Sequence, residues 1–124
     1  MKKYIHSNQA PKAIGPYSQA VLANDTLYVS GQLPIDLKTN EVVTNIYQAT
    51  TLCLEHILSI VKEAGMTKEN IVKCHVYLKN LNDFTRMNDA YSVFFGEHKP
   101  ARVAMEVSRL PKDVLVEIDC IAVL

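Results

Sequence analysis

The chain has 124 residues, 48% of them hydrophobic and 21% charged, the proportions of one ordinary globular domain spanning 1–124. Thirteen basic residues balance thirteen acidic ones, so the net charge is zero and no long-range field draws in nucleic acid or an anionic membrane. No stretch reaches the ~18 apolar residues of a membrane span, and residues 1–11 lack the apolar core of a signal peptide, so the expected location is cytoplasmic.

Residues 17–22 read as a strand, with Asn24-Asp25 as a tight turn into a second strand at 27–30, Leu-Tyr-Val-Ser. Gly31 follows directly, where a strand-end glycine marks a kink or a close backbone approach, and Pro34 ends the pattern. Over 46–64 the period becomes helical, with Ile46, Ala49, Cys53, Ile57, Ile60, Val61 and Ala64 on one face. Asn45 or Thr44 can cap its start, and Gly65 can end it at positive φ. Residues 71–78 alternate as a strand, with Val72, Cys74, Val76 and Leu78 on one side and Lys73, His75 and Tyr77 on the other. Asn82 or Asp83 then caps a second helix, with Phe84, Met87, Tyr91 and Phe94 or Phe95 inward and Gly96 closing it.

Two strands end the chain, 101–107 and 114–122, joined by a loop containing Pro111. The expectation is a hairpin in which Val107 faces Val114, Met105 faces Val116 and Val103 faces Ile118. That register sets Arg102 opposite Asp119 and Ala104 opposite Glu117, and gathers Arg102, Ala104, Glu106, Glu117 and Asp119 on the second face. With Leu115, Ile121 and Tyr77 beside those charges, this face is too apolar for free exposure and too charged for a monomer core. A symmetric homo-oligomer is the economical way to cover it.

Few residues carry chemistry. Arg102 can grip a carboxylate with two parallel hydrogen bonds, or make a structural salt bridge to Asp119 or Glu117. Glu117 lies in an otherwise apolar strand, where a carboxylate needs a partner or a task handling water. Cys53, Cys74 and Cys120 are an odd, dispersed set with no Cys-x-x-Cys, the pattern of reduced, buried thiols. His6, His56, His75 and His98 are scattered, and Cys74 and His75 point to opposite faces, so no metal site is expected. There is no phosphate loop and no Gly-x-Ser-x-Gly.

Taken together, Ala13-Ile14-Gly15-Pro16-Tyr17-Ser18-Gln19-Ala20, Val29-Ser30-Gly31-Gln32-Leu33-Pro34, Lys99-Pro100-Ala101-Arg102, Arg109-Leu110-Pro111-Lys112-Asp113-Val114 and Glu117-Ile118 resemble the RidA/YjgF family. Asn88 and Tyr91 ahead of Phe94-Phe95-Gly96 fit as well, so the likeness runs over nearly the whole chain in order. The resemblance implies an α+β fold similar to trimeric bacterial chorismate mutase, with a mixed sheet backed by two helices and a cleft at each subunit interface of a homotrimer. It also implies an enamine/imine deaminase that needs no cofactor and converts 2-aminoacrylate and 2-iminobutanoate-type intermediates to 2-keto acids and ammonia. Arg102 matches the arginine that binds the substrate carboxylate, and Glu117 the glutamate that activates water. Tyr17, Ser30, Gly31 and Asn88 match residues lining the pocket. Many relatives read Pro-Ala-Arg-Ser-Cys where this chain reads Pro100-Ala101-Arg102-Val103-Ala104, so a thiol is replaced by Ala104 and that position keeps its backbone alone.

The mechanism expected from these roles is hydrolytic: Arg102 fixes the carboxylate, Glu117 takes a proton from the attacking water and returns it to the departing nitrogen, and Tyr17 with the backbone at Gly31 and Ala104 orients the imine. Two rival classes are a non-catalytic binder or regulatory protein for small 2-keto acids, and an RNA-binding or RNA-cleaving protein. Zero net charge and the lack of tryptophan or a basic stripe speak against RNA. Retention of both Arg102 and Glu117 favours the enzyme, since a carboxylate binder needs only the first.

Overall fold

The computed structural model describes residues 1–124. A six-stranded sheet is built from β1 (Lys2–Ile5), β2 (Ala20–Ala23), β3 (Thr26–Gln32), β4 (Ile71–Leu78), β5 (Ala101–Glu106) and β6 (Val116–Val123), in the spatial order β1-β2-β3-β6-β4-β5. All neighbours are antiparallel except β4 and β5, which run parallel. Two helices, α1 (Ile46–Glu63) and α2 (Phe84–Phe95), form the second layer, α1 lying on β3 and β6 and α2 against α1. This is the mixed sheet backed by two helices that the sequence led one to expect.

The local signals explain most boundaries. Asn24 adopts positive φ in the two-residue turn between Ala23 and Thr26, a conformation Asn tolerates well. Asn45 caps α1 by accepting from the Gln48 N–H at 3.0 Å. At the other end Gly65 N–H donates to the Lys62 carbonyl and Met66 N–H to the Val61 carbonyl, a Schellman closure that needs the positive φ of Gly65. Asp83 precedes α2 without making a side-chain cap. Cys53, Leu54, Ile57, Ile60 and Val61 of α1 are fully buried against Val76, Leu78, Val116 and Ile118 of the sheet. Each large side chain so covered contributes roughly 1.5–3 kcal/mol. All three cysteines are free and buried.

The expected terminal hairpin does not form. β4 lies between β5 and β6, pairing with both: Cys74 is opposite Arg102 on one side and Cys120 on the other, and His75 is opposite Val103 and Asp119. The physical reason lies in α2, long enough to carry the chain back to the start of β4 so that β5 can enter parallel to it. Residues 108–115 then cross the end of β4, where Lys79 N–H donates to the Leu115 carbonyl and Val107 N–H to the Leu78 carbonyl.

The consequence for side-chain direction is large. Arg102 and Ala104 share the face of Cys74 and Val76 and point toward the helices, whereas Glu117 and Asp119 share the face of Tyr77 and His75 and point away. Arg102 and Ala104 therefore do not belong with Glu117 and Asp119, and Val103 and Met105 do not belong with the core residues Val116 and Ile118. Val72 is a smaller correction: the β4–β6 register shifts between Ile71 and Lys73, so Ile71 is buried and Val72 exposed. β1, hidden in a polar N-terminal stretch, was not foreseen; it pairs with β2 from Lys2 to Ile5.

The face away from the helices has no covering layer. Tyr28 and Met105 stand exposed on it, with Ile121, Tyr77, His75, Asp119 and Glu117 half-buried among them.

Candidate active site

The candidate residues fall into two groups on opposite sides of the sheet. The first is at the edge strand β5. There Arg102 Nη1 donates to Asn88 Oδ1 on α2 at 2.7 Å. The guanidinium carbon lies 4.7 Å from the centre of the Tyr91 ring and 5.4 Å from that of Phe84. The chain has two ion pairs, His75 with Asp119 and Lys79 with Asp113, and Arg102 is in neither. The structural salt bridge to Asp119 or Glu117 is thus excluded within one chain. A pocket of about 340 Å³ opens beside this arginine, lined by Asn88, Tyr91, His98, Lys99 and Arg102 among others. A half-buried cation with most of its donors free, in a pocket that also carries Lys99 and His98, is suited to a small anion. Ala104 follows two residues later on the same face, partly buried against the core.

The second group lies where β3 meets β6. The ladder between these strands slips between Val29 and Gln32, so Ser30 and Gly31 form a bulge. The Glu117 side chain lies directly over Gly31, and the missing Cβ leaves room for it: a Cβ there would overlap Glu117 Oε2 and stand 2.9 Å from Cδ. Ser30 Oγ donates to the Ser18 carbonyl at 2.6 Å, and Ser30 N–H to the Gln19 carbonyl at 2.8 Å, which ties the loop bearing Tyr17 to the bulge. With its proton engaged, the Ser30 hydroxyl is left as an acceptor. Tyr17 is exposed and shares with Gly31 a cavity of about 670 Å³, whose wall includes Pro11, Ile14, Leu33 and Lys112. Gln19 holds that wall, accepting from Ser7 N–H and donating to the Ser7 and Pro11 carbonyls.

Burial, and next the Asp119 charge two residues away on the same face, push the Glu117 carboxyl above its usual range. Asp119 itself is engaged by His75 Nδ1 at 2.6 Å and by the Tyr77 hydroxyl, which donates at 2.9 Å. Burial, then that hydrogen bond, push Tyr77 up to about 12, so it remains a donor at neutral pH. Cys74, pushed up to about 11 chiefly by burial, is a packing thiol and no nucleophile.

The structure thus sets Glu117 over Gly31, ties the loop bearing Tyr17 to that bulge through Ser30, and places Asn88, Arg102 and Ala104 on the helix-facing side. Sequence reading missed Phe84 and Tyr91 as partners of Arg102, and the His75–Asp119–Tyr77 network. Both rest on β4–β5 and β4–β6 pairings that alternation alone does not reveal. No group of three His, Cys, Asp or Glu side chains is arranged to hold a metal ion, and no helix is long and apolar enough to cross a membrane.

The family model described as Endoribonuclease L-PSP matches residues 7–124. A RutC family protein of Pyrococcus horikoshii is 54% identical over 123 residues, covering 98% of each chain. A 2-iminobutanoate/2-iminopropanoate deaminase of Salmonella typhimurium is 45% identical over 126 residues, covering 99% of this chain and 98% of that one. Among solved structures, Escherichia coli TdcF with bound serine superposes with a TM-score of 0.94 at 41% identity, and the E. coli YjgF gene product with 0.94 at 44%, each covering 98% of both chains.

Proposed function

Because the chain belongs to the YjgF/RidA family, we propose that it is a hydrolase of small 2-imino acids, yielding 2-keto acids and ammonia at a site shared between copies of the chain. The observation that carries this reading is Arg102: a half-buried guanidinium with no carboxylate partner, facing a pocket of about 340 Å³. The Salmonella relative named as an imine deaminase and the serine bound to TdcF agree with a small ligand bearing a carboxylate.

Arg102 and Asn88 hold the substrate carboxylate, which presents the C=N carbon to water. Glu117 accepts a proton as that water attacks, and the new C–O bond forms as the C=N π pair moves to nitrogen. Glu117 then returns that proton to nitrogen, giving a carbinolamine; it next takes the carbinol O–H proton and passes it to the amino nitrogen as the C=O bond forms and the C–N bond breaks, releasing ammonia and the 2-keto acid. A carboxyl with a raised pKa is suited to this return step. Ser30, Tyr17 and the Gly31 backbone form the wall on the Glu117 side, and Ala104 the wall beside Arg102. Since Glu117 and Arg102 of one chain lie on opposite faces of the sheet, the glutamate comes from a second copy. The uncovered face bearing Tyr28, Met105 and Ile121 is the surface that second copy would cover, and a homotrimer is the assembly we expect.

The test is complementation. Arg102→Ala and Glu117→Ala each abolish acceleration of imine decay in an assay coupled to threonine dehydratase. When the two inactive proteins are unfolded together and refolded at equal amounts, roughly one quarter of the sites receive both intact residues in a cyclic assembly, and activity returns to about that level. Full activity in either single variant, or no recovery on mixing, would overturn the shared site.

A further inference from the structure

We infer that Phe84 and Tyr91 are positioning residues of the anion site, fixing Arg102 by their ring faces without neutralising it. The inference rests on the reading of Arg102 as the carboxylate-binding group. A half-buried guanidinium needs compensation for the water it loses, and the usual compensation is a carboxylate. Within its own chain Arg102 has none: the fixed contacts are the Asn88 amide oxygen at 2.7 Å and the two rings at 4.7 and 5.4 Å.

Each of these groups is neutral. The amide dipole and the ring quadrupoles attract the cation, yet carry no net charge that would repel an incoming carboxylate. A counter-ion would hold the side chain equally well and cancel its field. The rings also limit rotation. Arg102 lies on an edge strand, where a long side chain would otherwise sample several rotamers that binding would have to order. Tyr91 is itself immobile: its ring packs against Phe95 with centroids 4.8 Å apart, and its hydroxyl is buried without a hydrogen-bond partner. Tyr91 therefore acts through its ring. Phe84, at the first turn of α2, is half-buried and closes the other side.

The experiment measures 2-ketobutyrate binding by calorimetry, together with imine turnover, for the wild type, Arg102→Ala, Phe84→Leu and Phe84→Tyr. Loss of one ring face is expected to weaken binding about five-fold, an effect typical of a partly desolvated cation–π contact. Phe84→Leu should raise KM by that factor with kcat held, because the carboxylate is gripped alike before and during reaction. Phe84→Tyr, which restores a ring, should recover most of the loss. A merely structural role would reduce both constants, or leave Tyr no better than Leu, and either result overturns the inference. In the wild type the ring currents should shift the Arg102 δ protons upfield in the NMR spectrum, and ordinary shifts there would overturn it without any variant. Wild-type binding by Arg102→Ala would instead defeat the underlying reading of the anion site.

Discussion

Replacing Gly31 by alanine tests the site through a single methyl group. Gly31 does not have a left-handed backbone, so alanine fits its φ and ψ. What it meets is the Glu117 side chain: Cδ at 2.9 Å, Cγ at 3.2 Å, and Oε2 in outright overlap. Carbon contacts settle at about 3.5–4.0 Å, so Cδ must retreat by roughly 0.6 Å and Oε2 by on the order of 1 Å or more. The obstructing atoms are the far end of a flexible side chain, so the fold survives. Alanine lowers the entropy of the unfolded chain, worth about 0.4–1 kcal/mol, and an off-rotamer Glu117 costs about 0.5–1.5 kcal/mol, leaving the two nearly balanced. Catalysis has no such balance, because a general base displaced by about 1 Å loses on the order of 100-fold in rate. Gly31→Ala is therefore expected to keep its urea midpoint while kcat/KM for imine hydrolysis drops about 100-fold. In the Glu117→Ala background the same substitution should add little, since both act through one group. Wild-type turnover by a folded Gly31→Ala protein would refute the placement of Glu117 at the reaction.

Two further outcomes follow from the same geometry. Asn88→Asp is nearly isosteric but puts a carboxylate on Arg102, so ligand binding should weaken by on the order of 10- to 100-fold through like-charge repulsion at a partly solvated site, while thermal stability is kept; calorimetry with 2-ketobutyrate reads the first, a melting curve the second, and unchanged affinity would count against Arg102 as the anion grip. Glu117 must be ionised to accept a proton, so kcat/KM should fall as pH drops through its raised pKa, above the ordinary carboxylate range. Asp119→Asn removes the like charge that helps raise it, so the acid limb of the pH–rate profile should move to lower pH, and an unmoved limb would show that Asp119 has no part in tuning the base.

Much of the fold was legible because local chemistry and global packing agree. The α1 period, the Asn45 cap and Gly65 named that helix almost to the residue, and the alternation in 71–78 gave β4 its limits. The end of the chain was misread for a physical reason. Two apolar strands joined by a short proline-containing loop satisfy the local rules for a hairpin, and nothing in their own residues records that β4 pairs with both. With the pairing went the faces, so Arg102 and Glu117 were set together when β4 and the thickness of the sheet divide them. Gly31 was legible as a close approach, though the group that approaches it, Glu117, comes from a strand far along the chain. The rings around Arg102 were invisible because Phe84 and Tyr91 read as ordinary inward residues of an amphipathic helix.

The strand order has an electrostatic effect that a hairpin could not provide. Side by side on adjacent strands of one chain, a guanidinium and a carboxylate would close into a direct ion pair and leave no gap for a ligand between them. Interposing β4 and sending the two to opposite surfaces makes the sheet an insulator. Within one chain the acceptor and the cation are therefore kept from neutralising each other, and the two can meet only where separate copies come together.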